Sequence, residues 1–133
     1  MPYKVFISSA RRDIDLARDL AQRLEKAGVN VLLPAVSSEA GDDFAAKINS
    51  DLRKADEVIV ILTPNSLDSK WLLFEMGVAT SLDKQLTPLV QGVEPKELPP
   101  IIKQMKYVKY ADLERYISKL KQRINALAES TRS

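Results

Sequence analysis

Short apolar runs and helical stripes alternate along the whole chain. Tyr3-Lys4-Val5-Phe6-Ile7-Ser8 has the make-up of a strand. Leu16, Leu20 and Leu24 then recur at helical spacing, and Gly28 is suited to close that helix. Val29 to Leu33 reads as a second strand, and Pro34 to Gly41 as a polar loop. A second helix is expected from Asp42 and Asp43, with Phe44, Ile48 and Leu52 on one face and Arg53 and Lys54 at its end; these charges suit the helix dipole. Val58-Ile59-Val60-Ile61-Leu62 is the most apolar β-branched run and predicts a central strand covered on both faces. After a loop over Thr63 to Ser69, Asp68 or Ser69 is placed to cap a helix beginning near Trp71. Leu86 to Val90 gives a fourth strand. Pro95, Pro99 and Pro100 mark an irregular connection with a helical turn near Ile101 to Gln104, and Lys106 to Tyr110 gives a short edge strand. From Asp112 a last helix carries Leu113, Tyr116, Ile117, Leu120, Ile124 and Leu127 as a core-facing stripe, with Glu129 to Ser133 expected to fray.

Five strands alternating with helices predict an α/β fold. Right-handed crossovers would build a parallel sheet with helices on both faces. At this length the flavodoxin-like order 2-1-3-4-5 is favoured, and residues 1–133 are expected to form one domain. Ligands of such sheets bind beyond the carboxyl ends of the strands, at the switch point between strands one and three. Here Ser8, Ser9 and Ala10 would line that crevice from one side, and Thr63, Pro64 and Asn65 from the other.

Composition narrows the chemistry. The chain holds no cysteine and no histidine, which excludes disulfides and thiolate metal sites and disfavours zinc. Proton transfer must use a carboxylate, Tyr, Lys or water. A formal charge of +2, with basic and acidic residues interleaved, gives no reason to expect nucleic acid or a membrane as partner. The most basic run, Lys119 to Arg123, reads as a solvated helix face. No signal peptide or spanning apolar run is seen, so a cytoplasmic location is expected.

One carboxylate stands out. Glu75 lies in Trp71-Leu72-Leu73-Phe74-Glu75-Met76-Gly77-Val78-Ala79, and its helical neighbours Trp71, Leu72, Val78 and Ala79 include no Lys or Arg. A carboxylate so placed is costly unless something outside the helix partners it, and such groups often mark functional sites. Other tenants of this fold fail on the groups they need. A receiver domain needs acidic residues where Ser8, Ser9 and Thr63 stand. A phosphate-binding loop needs clustered glycines, but Gly28, Gly41, Gly77 and Gly92 are far apart. A serine-hydrolase triad lacks its histidine. Carboxylate chemistry at a ribosyl carbon, as in cleavage of an N-glycosidic bond, needs little more than the chain offers.

These residues together resemble a TIR domain. Val5-Phe6-Ile7-Ser8-Ser9 is similar to the family's first-strand motif, with Ser9 where an aromatic is usual. Ser38-Glu39-Ala40-Gly41-Asp42-Asp43-Phe44 resembles the end of the loop after strand two and the start of the next helix, although Pro34 stands where an acidic residue often ends that strand. Thr63-Pro64-Asn65-Ser66-Leu67-Asp68-Ser69-Lys70-Trp71, followed by Glu75, resembles the S-P-x-Y-x-x-S-x-W-x-x-x-E block, with Ser66 replacing the aromatic. The resemblance covers nearly the whole chain. It implies an enzyme that cleaves NAD, as a glycohydrolase or an ADP-ribose cyclase, to nicotinamide and ADP-ribose or a cyclic isomer. The setting implied is immune or stress signalling, including antiviral defence. NAD is then the substrate, and no cofactor or metal is expected. Glu75 would be catalytic. Trp71 would shape the pocket, lined by Ser8, Ser9, Ala10 and Thr63, while Glu39 and Phe44 would contribute from the loop and the following helix. Other TIR domains would be partners through self-assembly. Two alternatives remain open: a TIR module that signals by self-association without catalysis, and an enzyme resembling nucleoside deoxyribosyltransferases.

Overall fold

The computed structural model describes residues 3–33, 53–65, 85–98 and 100–132. Strand β1 (Lys4–Ser8) leads through a 3-10 turn (Arg11–Asp13) into helix α1 (Ile14–Lys26). Gly28 adopts a φ of 88°, the left-handed conformation that lets the chain leave α1, and β2 (Asn30–Leu32) follows. Strands β3 (Glu57–Leu62), β4 (Gln85–Val90) and β5 (Val108–Lys109) complete the sheet. A helical turn, α2 (Pro100–Lys103), precedes β5, and α3 (Leu113–Arg132) closes the described chain. All pairings are parallel and the strand order is β2-β1-β3-β4-β5, the flavodoxin-like order expected of the alternating pattern.

Residues along β1 and β3 alternate between two apolar layers, as the pleat requires. Val5, Ile7, Ile59, Ile61 and Leu89 pack with Ala17, Leu20 and Leu24 of α1 and with Leu113, Ile117 and Leu120 of α3. On the other face Phe6, Val58, Val60, Leu62 and Val90 pack with Leu98 and Ile102. Every residue of β3 is buried, so its unbroken apolar run does mark a strand covered on both faces.

One expectation differs at the edge of the sheet. Strand β5 is shorter than the run Lys106 to Tyr110, because β4 offers it a ladder only at Leu89 and Val90, immediately after Pro88. Pro88 itself pairs with Val60 on the β3 side alone, a position that tolerates a residue without an N–H. Helix α3 runs through Arg132. Ala126, Ala128 and Glu129 are strong helix formers and extend it.

The amino-terminal edge of the sheet holds a polar network absent from the expected picture. Glu57 has no exposed surface. Its carboxylate accepts hydrogen bonds from the Tyr3 hydroxyl at 2.9 Å, Thr87 Oγ1 at 3.2 Å, the Tyr116 hydroxyl, and Arg123 Nη2 at 2.5 Å. Burial raises the Glu57 carboxyl above the ordinary carboxylate range, against the opposing pull of the Arg123 charge and the donated hydrogen bonds. Burial and the adjacent Glu57 charge also raise the Tyr3 phenol.

Candidate functional site

Two chain segments meet beyond the carboxyl ends of β1 and β3. In the register of these strands Phe6 lies beside Val58 and Ser8 beside Val60, so both segments leave the sheet on adjacent strands. Ser8, Ser9 and Ala10 form the first exit; Thr63, Pro64 and Asn65 form the second. Ala10 packs against the Phe6 layer, and Ser9 is half-buried. Alternation along β1 places the Ser8 side chain on the Phe6 face. Ser8 has no exposed surface, and its hydroxyl has no hydrogen-bond partner among the described residues. A buried hydroxyl left unpaired is destabilising, and at a ligand-binding edge it is a group to which a ligand or a water can bond.

The two exits are tied together by Asp13, which the sequence reading did not single out. Asp13 occupies the N-cap position of α1, yet its side chain makes no capping bond. Its backbone N–H donates to the Ala10 carbonyl at 2.9 Å, closing the 3-10 turn and directing the carboxylate toward β3. Asp13 Oδ2 accepts from Thr63 Oγ1 at 2.6 Å, and Oδ1 accepts from Asn65 Nδ2 at 3.0 Å. Thr63 Oγ1 in turn accepts from the Asn65 backbone N–H at 3.1 Å. Asp13 and Thr63 are only 6% and 5% exposed, so these bonds form largely out of water. Three polar residues at the switch point, Asp13, Thr63 and Asn65, were the available signal. An Asp before a helix is ordinarily assigned to capping, and that masked it.

The loop after β4 joins the same edge. The Gln91 N–H donates to the Leu62 carbonyl at 3.0 Å. Gly92 has a φ of 72°, and a Cβ there would stand 3.6 Å from Pro64 Cδ. Beside it, a cleft of about 380 Å³ opens between the ends of β4 and β5, lined by Val90, Gly92, Val93, Tyr107, Lys109 and Tyr110. The Tyr110 hydroxyl donates to Asp19, and the Arg23 guanidinium lies 5.9 Å from the Tyr110 ring centre. Burial and this bond to Asp19 push the Tyr110 phenol up to about 12. Among the described residues no group of three or more acidic, His or Cys side chains stands together to hold a metal, and no helix is long and apolar enough to cross a membrane.

Of the expected site residues, Ser8, Ser9, Ala10 and Thr63 therefore share one edge of the sheet. Glu39, Phe44, Trp71 and Glu75 lie outside the described residues.

Known proteins share this architecture. The probable 2′ cyclic ADP-D-ribose synthase BdTIR of Brachypodium distachyon is 28% identical over 120 residues, covering 86% of this chain and 53% of the relative. The NAD(+) hydrolase TcpC of Escherichia coli is 39% identical over 75 residues, covering 56% of this chain and 24% of the relative. The chain thus spans about half the length of the first relative and about a quarter of the second. Among solved structures, the TIR domain of the Toll-related receptor TRR-2 from Hydra magnipapillata matches with a TM-score of 0.69 at 21% identity, over 98% of this chain and 99% of that one; it shares the fold. The sequence profile of the TIR domain matches residues 5–126, nearly the full length, and this chain belongs to the TIR domain family.

Proposed function

We propose that this chain is a single catalytic TIR domain that cleaves the bond between nicotinamide and ribose in NAD. The observation that carries the reading is sequence kinship: the Brachypodium and Escherichia relatives are named for ADP-ribose cyclisation and NAD hydrolysis. The Trp71 to Glu75 spacing and the Ser8 hydroxyl at the switch point, buried and without a partner among the described residues, support it. In the proposed reaction the C1′–N bond breaks and its electron pair leaves with nicotinamide, which neutralises the pyridinium. The Glu75 carboxylate stabilises the oxocarbenium-like ribosyl centre. Water then adds to that carbon and loses a proton, giving ADP-ribose, or a hydroxyl of the same molecule adds and gives a cyclic isomer. Trp71, Ser8, Ser9, Ala10 and Thr63 form the pocket, with Glu39 and Phe44 contributing from the segment after β2. Self-association with other TIR domains completes the active form, which serves a signalling role.

Incubation with NAD at high protein concentration, with chromatography of the products, tests the reading. Nicotinamide release is expected, and Glu75→Gln should remove most of it while circular dichroism stays unchanged. Turnover equal to wild type in a well-folded Glu75→Gln protein would overturn the assignment. A second reading, a self-associating module without turnover, draws support from Ser9 and Ser66, which stand where the family often has aromatics. It predicts assembly with no nicotinamide release. Base exchange on a deoxynucleoside would instead indicate a deoxyribosyltransferase-like enzyme.

A further inference from the structure

We propose that Asp13 is a positioning residue, whose carboxylate clasps the exit of β3 to the exit of β1 and so fixes the chain that runs on to Trp71 and Glu75. Three observations carry this. Asp13 occupies a helix N-cap position without capping the helix. Each of its oxygens holds a different residue of the segment after β3, Thr63 on Oδ2 and Asn65 on Oδ1. The Thr63 hydroxyl then relays to the Asn65 backbone N–H, so side chain and main chain of Thr63 to Asn65 are held from one point.

The bonds are strong for their type. Both acceptors belong to a carboxylate, and hydrogen bonds to an ionised acceptor are about twice as strong as neutral ones. Low exposure of Asp13 and Thr63 limits competition from water. A lone N-cap aspartate would stabilise α1 only locally. This one spans the topological switch point, where the two strands' exits must keep a fixed separation for a ligand to enter between them. It touches neither the reacting atoms nor a cofactor, so its effect passes through Thr63 and Asn65.

The kinetic part of the test rests on the proposed NAD cleavage; the conformational part does not. Trp71 is the only tryptophan in the chain and follows the clasped segment, so its fluorescence reports on that stretch without substrate. Asp13→Asn, Thr63→Val, their double variant and Thr63→Ser would be compared with wild type for kcat and KM on NAD, and for acrylamide quenching of Trp71. Misplacement of a reacting group by about an ångström costs up to roughly a hundredfold in rate. Asp13→Asn and Thr63→Val should therefore each lower kcat by about ten- to a hundredfold while KM moves less than about threefold. Both should change Trp71 quenching. The double variant should be no worse than the worse single, because the two groups act as one unit. Thr63→Ser, which keeps the hydroxyl that bonds Asp13, should retain wild-type quenching. Unchanged quenching in Asp13→Asn and Thr63→Val would overturn the clasp, as would full additivity in the double variant or altered quenching in Thr63→Ser. If wild type releases no nicotinamide, the NAD reading fails, and the clasp stands or falls on the quenching alone.

Discussion

Replacing Arg123 by Met should expose how the amino-terminal edge of the sheet is held. Methionine keeps much of the apolar stem but removes the charge and the donors that meet Glu57. The carboxylate has no exposed surface, whereas the Arg123 side chain is 44% exposed. Breaking a fully buried pair costs about 3–5 kcal/mol, while an exposed pair is worth about 0–1 kcal/mol. Half-exposure of the arginine, and the hydroxyls of Tyr3, Thr87 and Tyr116 that remain on Glu57, place this case between those limits. A loss of about 2 kcal/mol at neutral pH is expected. With an unfolding entropy of about 2.1 cal/mol/K per residue over 133 residues, that loss lowers Tm by about 7 °C. The effect must also depend on pH. The Glu57 carboxyl is raised by desolvation, and Arg123 opposes the rise. A raised folded value means that stability is fully present below the unfolded value of about 4.3 and declines as pH climbs through the folded value. Without Arg123 the folded value climbs further and the decline deepens. Thermal midpoints measured at low salt from about pH 4 to pH 8 should therefore converge at the acid end and separate toward neutral pH. A gap that is constant with pH, or widest in acid, would refute the electrostatic account and leave Arg123 a packing role only.

Ser8→Ala removes a buried hydroxyl that has no partner among the described residues, so it should leave Tm equal to or up to about 4 °C above wild type, while raising KM for NAD if that hydroxyl meets the substrate. A clear fall in Tm, read by differential scanning calorimetry, would show that the hydroxyl has a partner in the folded protein. If assembly completes the site, specific activity should rise with protein concentration, and Gly41→Pro should reduce it without altering circular dichroism, because proline fixes φ and removes a donor. Constant specific activity across a wide dilution series, with the Gly41→Pro protein unaffected, would mean that one chain holds the whole site.

What the sequence disclosed follows from how local each cause is. The run Val58 to Leu62 is β-branched without interruption, so burial on both faces of β3 was legible from five adjacent residues. Strand order followed from the alternation of elements, since parallel strands need crossovers and right-handed crossovers leave few arrangements. The ends of β1 and β3 could be placed at the switch point on the same ground, which is why Ser8, Ser9, Ala10 and Thr63 were found together. The polar contacts could not be read this way. Glu57 meets partners just before β1, on β4 and on α3, and no periodicity within any one of these segments announces them. Asp13 was hidden for a further reason: two roles suit an aspartate before a helix, and only the orientation of its carboxylate distinguishes them. Both carboxylates bind across strands, at opposite ends of the same sheet. Apolar patterning settles which strands are neighbours, and these two polar centres then fix how their ends are joined. In this chain the proposed chemistry lies at the end that Asp13 controls, so substitutions at Glu57 and its partners should alter stability far more than turnover.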